Sequence, residues 1–379
     1  AFGTVYLAEL SSGQGFRRQV AVKVLHRRAG DDERFLSRIR DEARLLGLLQ
    51  DDAILKVLDM VDVDGLDAVV MEFVEGLDLE TLVDSGNAPP PRALAELGAS
   101  VASGLSRAHT ARHPNTGLPL NVIHRDVKPA NVMITTSGGV KLLDFGVARA
   151  RFDARESHTG HLVLGTLNYM APEYIVTGEV STAADVYGLA LTLWQVATGE
   201  KFGQPKIRED AHDQRLRQRL DQLSSSHPPL VPVLAQMLAW HPPARPTAEQ
   251  AESMLQTCAD ALGGQGLRSW ARGVVPRVMQ SRAPAPDGLE LLGRTVTISG
   301  AALTDEAMPP APAPAPAPAS TSGSPSASGS PSASAPAAAP APRAPSSPSL
   351  LGPILKGLAI GGIFGFMVVV AVVALFVFR

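Results

Sequence analysis

Two runs rich in strand-forming residues lie near the start of the chain, at residues 3–8 and 20–25. Valine, threonine and tyrosine favour strands, and the Ser-Gly-Gln-Gly sequence at residues 12–15 is a turn signal between the two runs. A further apolar run at residues 69–74 is followed by Glu75 and Gly76, which predicts a strand that leads into a turn. The first part of the chain is therefore predicted to be β-rich.

Helical character follows in three later segments, at residues 33–49, 93–109 and 186–197. The large apolar residues of the first segment approximate one face of a helix. That face consists of Phe35, Ile39, Leu45, Leu46 and Leu49. Gly98 and Gly104 weaken the second prediction, because glycine costs a helix roughly 1 kcal/mol relative to alanine. As far as about residue 262 the chain is predicted to be α+β, with the strands concentrated in its first part and most of the helices after them.

Residues 301–353 differ abruptly from what precedes them, because proline, alanine and serine replace most apolar residues. A segment of this composition cannot bury enough apolar surface to fold, so we expect a disordered and partly polyproline linker. Residues 263–300, which precede this linker, contain basic and apolar residues but no motif that assigns them a role.

The chain ends in an apolar segment, residues 354–378, of which residues 358–378 carry no charge. This length matches the ~20 residues that a helix needs to cross a bilayer. A buried core helix is the alternative, but a segment that follows a disordered linker has no core to enter. We therefore expect a single transmembrane helix. Gly357, Gly361 and Gly365 lie at four-residue spacing and form a candidate face for a homodimer.

Composition and charge set few further limits. The 379 residues are 45% hydrophobic, which is enough for a packed core. The net charge of -3 points to no nucleic-acid partner. Cys258 is the only cysteine, so no disulfide forms within the chain, and we interpret it as a small buried hydrophobe in a reducing cytosol. The chain shows no initiator methionine and no signal peptide, and its first residue is expected not to be the biological start.

The strongest chemical signal is the sequence His-Arg-Asp-Val-Lys-Pro-Ala-Asn at residues 124–131, which an Asp-Phe-Gly triplet follows. Phosphoryl transfer requires groups that orient the attacking hydroxyl and hold metal ions against phosphate oxygens. Asp126 can orient that hydroxyl and accept its proton, and Lys128 can neutralise charge on the moving phosphoryl group. Asn131 and Asp144 offer the hard oxygen ligands that Mg²⁺ prefers.

These motifs resemble those of the eukaryotic-type (Hanks-type) serine/threonine protein kinases. The resemblance covers residues 1–262 and implies a bilobal protein kinase-like fold, with a β-rich N-terminal lobe and a helical C-terminal lobe. Gly3 matches the third glycine of the family's phosphate-covering loop. Because the first two glycines would precede residue 1, we expect the N-terminal lobe to be truncated at its start and the chain as given to bind ATP poorly.

The same resemblance implies a site for ATP and Mg²⁺ between the lobes. Lys23 would contact the α- and β-phosphates and would be held by an ion pair with Glu42, for which Asp41 is the rival carboxylate. The other residues implied at the nucleotide are Gly3 at the phosphates, Val5 and Ala21 at the adenine, the backbone of Glu72 and Val74 at the adenine edge, Met71 behind it, Asp78 at the ribose and Asp144 at the metal.

The segment between the Asp-Phe-Gly and Ala-Pro-Glu triplets resembles a kinase activation loop. Thr166 matches the threonine that contacts the catalytic Asp and Lys in this family. Ser157 and Thr159 are candidate phosphorylation sites, and Thr159 is the preferred one. A phosphate at either position could order the loop through charge-assisted hydrogen bonds to Arg125.

Two further matches to the family are structural. Asp185, just before the apolar helix predicted at residues 186–197, matches the position that braces the backbone of the catalytic loop. Arg245 matches the partner of Glu173 in a buried ion pair. Neither position is expected to take part in the chemistry.

Three functions are compatible with these motifs. The leading hypothesis is an ATP-dependent serine/threonine protein kinase, because the residues after Asp126 and around Thr166 favour Ser/Thr over Tyr acceptors. The first alternative, a pseudokinase scaffold at the membrane, predicts the loss of Lys23, Asp126 or Asp144, and all three are present. The second alternative, a small-molecule phosphotransferase, would lack an activation segment closed by a buried ion pair.

The expected location is the cell membrane, with one pass near the C-terminus and the kinase domain in the cytoplasm. Kinase chemistry needs cytosolic ATP, and Lys356 lies at the near edge of the apolar segment while Arg379 alone follows it. This arrangement resembles the membrane-anchored Hanks-type kinases of bacteria. The expected partners are protein substrates, the membrane and a second copy of the chain.

Overall fold

The computed structural model describes residues 3–11, 17–25, 43–49, 51–63, 65–145, 166–282 and 370–371. The chain divides into two compact units, and every described residue lies in the first unit, residues 1–296 together with 368–379. The second unit, residues 297–367, falls outside the described residues. Within the first unit a β-rich part precedes a helical part, as the sequence pattern predicts.

A five-stranded sheet forms the β-rich part, with the strand order β3-β4-β2-β1-β8. Strands β1 to β4 pair in antiparallel fashion, and β8 lies parallel to β1. The strands are β1 (Gly3–Ser11), β2 (Arg17–Leu25), β3 (Val57–Val63), β4 (Leu66–Glu72) and β8 (Val370–Ala371). Strand β2 is therefore central, which places Lys23 in the middle of the sheet.

Strand β8 differs from the expectation for this part of the sequence. Val370 and Ala371 fall in the segment predicted to be a transmembrane helix, yet their backbone is extended and pairs with Val5 and Tyr6. The physical reason is the edge of β1, whose backbone donors and acceptors can pair with any extended apolar segment. The rest of the predicted membrane segment and Gly357, Gly361 and Gly365 lie outside the described residues. In the described ranges, the structure contains no helix long and apolar enough to cross a membrane.

The helix predicted at residues 33–49 is described only in its last part. Residues 43–47 are helical, and those before them, Glu42 and Asp41 included, lie outside the described residues. Ala43 is buried against Val69 and Met71 of β4. This contact fixes the end of the helix against the sheet that carries Lys23.

The helical part contains most of the buried core. Its helices among the described residues are α1 (Leu79–Asp84), α2 (Pro91–Thr110), α3 (Pro172–Thr177), α4 (Thr182–Thr198), α5 (Glu209–Asp221), α6 (Leu230–Met237), α7 (Ala248–Ala261) and α8 (Leu267–Ser281). The helices predicted at residues 93–109 and 186–197 correspond to α2 and α4. Both are more buried than the other helices because α2 packs against α4 and α7.

Local sequence signals set several helix ends. The Asp78 carboxylate accepts from Thr81 N at 2.7 Å and caps the start of α1. Thr247 and Gln250 form a capping box at the start of α7, which satisfies two backbone donors that the helix leaves free. Gly178 ends α3 with a φ of 75°, a left-handed conformation that glycine adopts without steric cost.

The two glycines of α2 have a packing function that outweighs their low helix propensity. A Cβ atom at Gly98 would lie 2.8 Å from Leu193 Cδ1, and one at Gly104 would lie 3.1 Å from Leu142 Cδ1. Larger residues would push α2 away from α4 and from the strand that contains Leu142. Glycine at these positions therefore lets the central helix approach both neighbours closely.

A small antiparallel sheet lies next to the catalytic motifs, with the order β5-β6-β7. Its strands are β5 (Gly76–Asp78), β6 (Val132–Thr135) and β7 (Val140–Leu142). Strand β6 begins directly after Asn131, and β7 ends two residues before Asp144. The β6–β7 hairpin thus brings the two chemical motifs of the sequence to one end of a sheet.

Candidate active site

The catalytic loop holds its polar residues through hydrogen bonds within the loop. Lys128 Nζ lies 2.9 Å from Asp126 Oδ2, so the ammonium group sits beside the carboxylate. Asn131 Nδ2 donates to the backbone oxygen of Asp126 at 2.9 Å, which leaves the amide oxygen of Asn131 for another partner. Both side chains of the Lys128–Asp126 pair are less than a quarter exposed. The loop therefore presents one carboxylate, one cation and one amide oxygen together.

The His124 ring joins the catalytic loop to the Asp-Phe-Gly segment. Its Nε2 donates to the backbone oxygen of Leu143 at 2.9 Å, and its Nδ1 accepts from Asp126 N at 3.3 Å. These two contacts fix a neutral tautomer with the proton on Nε2. Burial lowers the pKa of His124, although the charges of Asp185, Asp126 and Asp144 act in the opposite direction. The ring thus holds the backbone of Asp126 and the backbone of Leu143, the residue before Asp144, together.

Asp185 holds the backbone of the catalytic loop through hydrogen bonds. Its fully buried carboxylate accepts from His124 N and Arg125 N, each at 2.7 Å, and from His109 Nε2 at 2.8 Å. Arg125 has a φ of 65°, a conformation that a residue with a side chain holds only when its surroundings impose it. The two backbone hydrogen bonds to Asp185 supply that constraint on either side of this peptide.

Asp144 faces Lys23 across the cleft between the two parts of the unit. Lys23 Nζ lies 2.5 Å from Asp144 Oδ1, and the aspartate side chain is about half exposed to solvent, at 47%. Desolvation raises the pKa of Asp144, but the positive charge of Lys23 and its hydrogen bond to the carboxylate outweigh this effect, so the pKa lies below its ordinary value. Asp144 is therefore an ionised carboxylate with a positive φ of 49°, exposed in the cleft.

The donor set in this cleft fits Mg²⁺ that is bound together with a nucleotide. Among the described residues no group of three or more His, Cys, Asp or Glu side chains could hold a metal ion. Mg²⁺ is commonly held by one or two protein carboxylates together with phosphate oxygens. Asn131 and Asp144 supply two oxygen-bearing side chains of the right chemistry, and Lys23 beside Asp144 adds a cation for phosphate.

On the side of the cleft formed by the five-stranded sheet, β1 and β2 bring together Gly3, Val5, Ala21 and Lys23. Val5 pairs with Lys23 in the register of these two strands, and Ala21 pairs with Met71 of β4. A Cβ atom at Gly3 would lie 2.4 Å from Val24 O, so only glycine permits this approach of the two strands. These residues share one region of the sheet, next to the Lys23–Asp144 contact.

Glu72 ends β4, and Val74 and Asp78 lie in the segment that follows this strand. Glu72 was expected to use its backbone toward adenine, and its side chain has a separate function, since Oε1 accepts from Lys141 Nζ at 2.6 Å and from Lys56 N at 3.0 Å. This nearly buried ion pair ties the end of β4 to β7. Val74 is half-buried, and Asp78 is half-buried at the start of α1.

A buried ion pair fixes the end of the activation segment. Arg245 Nη1 and Nη2 donate to the two carboxylate oxygens of Glu173 at 2.7 and 2.8 Å, and Arg245 Nε donates to Ala239 O at 2.7 Å. The guanidinium also stacks over the Tyr187 ring at 4.7 Å. The guanidinium is thus bonded along its edge and packed against a ring on its face. Since Glu173 belongs to α3 and Arg245 to the loop before α7, the pair holds these two elements together.

Comparison with known families matches residues 1–255 to the protein kinase domain. The match covers about two thirds of the chain and includes every motif of the cleft. The chain belongs to the protein kinase family.

Curated relatives of this kinase chain are bacterial serine/threonine-protein kinases. PknL of Mycobacterium tuberculosis is 37% identical over 182 residues, which is 48% of this chain and 43% of that protein. PknB of Mycobacterium leprae is 34% identical over 203 residues, 52% of this chain and 31% of that protein. PknH of Mycobacterium bovis is 37% identical over 210 residues, 55% of this chain and 32% of that protein. The chain thus matches less than half the length of each of these relatives.

Among solved structures, the PknI kinase domain of Mycobacterium tuberculosis aligns with this kinase chain. The TM-score is 0.49 at 26% sequence identity, and the alignment covers 68% of this chain and 91% of that chain.

Several residues predicted from the kinase resemblance cannot be placed. Glu42, Ser157 and Thr159 lie outside the described residues. Thr166 begins a short 3-10 helix, Thr166–Tyr169, but its side chain is not described. The predicted Lys23–Glu42 pair therefore stays a prediction, and the contact that the structure gives for Lys23 is the one to Asp144.

Sequence reasoning missed three residues that support the kinase cleft. His109, at the end of α2, holds Asp185, and Lys141 neutralises Glu72. Tyr169 donates its hydroxyl to Gln195 of α4 at 2.5 Å, which ties the end of the activation segment to the core. The one available signal was for Lys141, a lone cation in an apolar strand three residues before Asp144.

Proposed function

We propose that this chain is an ATP-dependent serine/threonine protein kinase, which transfers the γ-phosphoryl group to protein hydroxyls. The observation that carries the proposal is the pair of ionic contacts that meet around His124, Asp126 with Lys128 and Asp144 with Lys23. One contact supplies a base and a cation at the acceptor side, and the other supplies a carboxylate and a cation at the phosphate side. The similarity to mycobacterial serine/threonine kinases supports the choice of acceptor.

The residues of the cleft divide the work of phosphoryl transfer between them. Asp126 orients the substrate hydroxyl and accepts its proton, and Lys128 is close enough to Asp126 to stabilise negative charge on the moving group. Asn131 and Asp144 would hold Mg²⁺, which neutralises charge on the phosphate oxygens when it is bound with ATP. Lys23 would hold the α- and β-phosphates. Catalysis in this scheme consists of positioning and electrostatic stabilisation.

An autophosphorylation assay with radiolabelled ATP tests this proposal on the full-length protein. We expect label on Ser or Thr that is lost in Asp126→Asn, because the amide cannot accept the proton of the hydroxyl. Mass mapping of the labelled residues tests Thr159 and Ser157 as regulatory sites. If the wild-type protein binds Mg-ATP but labels neither itself nor a generic protein substrate, the pseudokinase scaffold replaces the kinase as the better function.

We also propose that the kinase is tethered to the cell membrane, with its catalytic part in the cytoplasm. The support is the uncharged run at residues 358–378 and the Pro/Ala/Ser-rich linker of residues 301–353 before it. Insertion requires Val370 and Ala371 to leave the edge of β1. In cells, we expect the chain to resist alkaline extraction from membranes, whereas a chain that ends at residue 353 should be extracted. Extraction of the intact chain would contradict the tether.

A further inference from the structure

Helix α8 follows the last residue that matches the protein kinase domain, residue 255, yet it is packed into the catalytic unit. Its inner face is not more than 6% exposed and shares one core with Leu77 of β5 and Ile134 of β6. That face consists of Leu267, Trp270, Ala271, Val275 and Val278. The helix therefore lies against two strands of the small sheet. Of these, β5 ends at Asp78, and β6 begins directly after Asn131.

A partly buried hydrogen bond fixes the start of α8. Leu267 N donates to Glu96 Oε2 of α2 at 2.7 Å, and the other oxygen of Glu96 accepts from Arg92 Nε at 2.9 Å. The β6–β7 turn touches the same end, since a Cβ atom at Gly138 would lie 2.6 Å from Arg268 Cα. With its start held on two sides and one face buried, α8 has a defined direction, and its far end reaches α1.

The end of α8 connects to Asp78 through two hydrogen bonds. Arg282, the residue after the helix, donates from Nη1 to Thr81 Oγ1 at 3.0 Å. Thr81 Oγ1 donates in turn to Asp78 Oδ2 at 2.8 Å, and Thr81 N donates to Asp78 Oδ1 at 2.7 Å. The hydroxyl oxygen of Thr81 accepts the hydrogen bond from Arg282, and the hydroxyl proton of Thr81 is therefore directed to Asp78.

This geometry leaves Asp78 able to bind a ligand while its orientation is fixed. An ionised carboxylate has about four lone-pair directions, and Thr81 uses one on each oxygen. The remaining directions can accept hydrogen bonds from the two hydroxyls of a ribose. The carboxylate can no longer rotate freely, so part of the entropy cost of binding a ribose is already met in the folded protein.

We propose that Arg282 and Thr81 are positioning residues for Asp78, and that α8 thereby sets the affinity of the cleft for the ribose of ATP. This inference rests on the proposed kinase function, because it assumes that a nucleoside triphosphate occupies the cleft. It assigns a function to part of residues 263–300, which no motif of the sequence explains.

Calorimetric binding of Mg-ATP and of Mg-2′,3′-dideoxy-ATP to the full-length protein tests the coupling. Arg282→Met keeps the length of the side chain and removes its donors, and Thr81→Val keeps the shape and removes the hydroxyl. Each variant should weaken ATP binding about two- to tenfold, the typical value of one hydrogen bond, and leave dideoxy-ATP binding unchanged. Thr81→Ser, which keeps the hydroxyl, should bind ATP as the wild type does. In a protein that already carries Asp78→Asn, the further substitution Arg282→Met should cause no additional loss of ATP affinity.

Arg277→Met is the matched control, since Arg277 lies on the exposed face of the same helix. It should change neither affinity. In the unliganded protein, Arg282→Met should also speed hydrogen exchange at the Thr81 amide, and Arg277→Met should not. If Arg282→Met lowers the melting temperature but retains the wild-type preference for ATP over dideoxy-ATP, α8 is only a structural support and the inference is wrong.

The outcomes separate the inference from the function on which it rests. A wild-type chain that binds both nucleotides equally overturns the assignment of Asp78 to the ribose and leaves the kinase proposal intact. A wild-type full-length protein that binds neither nucleotide overturns the proposed kinase function itself.

Discussion

The His124 ring shows how one side chain can define a catalytic loop. It donates to Leu143 O and accepts from Asp126 N, so it links the two motifs that carry the chemistry. Phe145 packs on the ring at a centroid distance of 4.5 Å, which shields it from water. A charged ring would lose the acceptor that holds the Asp126 backbone. The neutral form is therefore part of the geometry of the site.

His124 should become protonated at a lower pH than an exposed histidine does. Burial lowers the pKa of His124 below its ordinary value of 6.5. The unfolded chain then binds this proton more readily than the folded chain, so the contribution to the free energy of unfolding is present above about pH 6.5 and is lost as the pH falls toward the folded pKa. Histidine NMR titration should show an Nε2-protonated neutral ring at pH 6.5. A ring that is already half protonated at pH 6.5 would contradict this assignment.

Breaking the ion pair between Glu173 and Arg245 should strongly destabilise the protein. Arg245→Met leaves the Glu173 carboxylate buried without a partner, and such a loss typically costs about 3 to 5 kcal/mol of unfolding free energy. Urea denaturation measures the change. The control is Arg208→Met, whose partner Asp210 and own side chain are both at least two-thirds exposed, and it should cost less than about 1 kcal/mol. Equal effects in the two variants would show that the buried pair has no special weight.

Among the elements, α2 is positioned by its glycines as much as by its apolar face. Intrinsic propensity predicts that glycine weakens a helix, and the sequence could give only that prediction. The structure adds that Gly98 faces Leu193 and Leu255 at distances that leave no room for a Cβ atom. The cost in propensity is therefore the condition for close packing between α2, α4 and α7.

Replacing a glycine by alanine should have opposite effects in α2 and α8. Gly98→Ala gains helix propensity but places its Cβ atom 2.8 Å from Leu193 Cδ1, and overpacking of this kind typically costs about 1 to 3 kcal/mol. Gly273→Ala in α8 meets no atom within 4 Å and should stabilise by roughly 0.5 to 1 kcal/mol. Thermal unfolding of the two variants provides the comparison. Stabilisation by Gly98→Ala would mean that α2 can move away from α4.

The protein as a unit combines a kinase domain with an apolar C-terminal run, and the small residues of that run suggest how two copies could meet. Gly357, Gly361 and Gly365 repeat at a spacing that places them on one face of a helix. Close approach of two such faces in a bilayer would bring two kinase domains together and raise their local concentration. Phosphorylation of one copy by another would then be favoured.

Gly361→Ile should abolish this association, because a large side chain prevents close approach of the two helices. A membrane dimerisation assay on residues 354–379 measures the effect. The control is Ala359→Ile, which adds a similarly large side chain on the opposite face of such a helix and should associate as the wild type does. Unchanged association of Gly361→Ile would rule out the glycine face as the dimer surface.

The sequence alone determined much of the fold and the chemical identity of the site. Strand-forming runs and helical spacing marked β1, β2, β4, α2 and α4, because these elements depend on local preference and on one buried face. The order and spacing of the motifs at residues 124–131 and 144–146 indicated phosphoryl transfer, because this chemistry restricts the residue types. Residues as distant as Glu173 and Arg245 were paired only through the resemblance to kinases.

Tertiary structure alone decided which side chains support the site. Nothing local in the sequence connects His109 to Asp185, or Lys141 to Glu72, since each pair is brought together by packing of separate elements. The position of α8 is the clearest case. Its sequence offers basic and apolar residues without a motif, and only the packing against β5 and β6 places Arg282 next to Thr81. Contacts between residues distant in the chain depend on the whole core, so no local pattern can specify them.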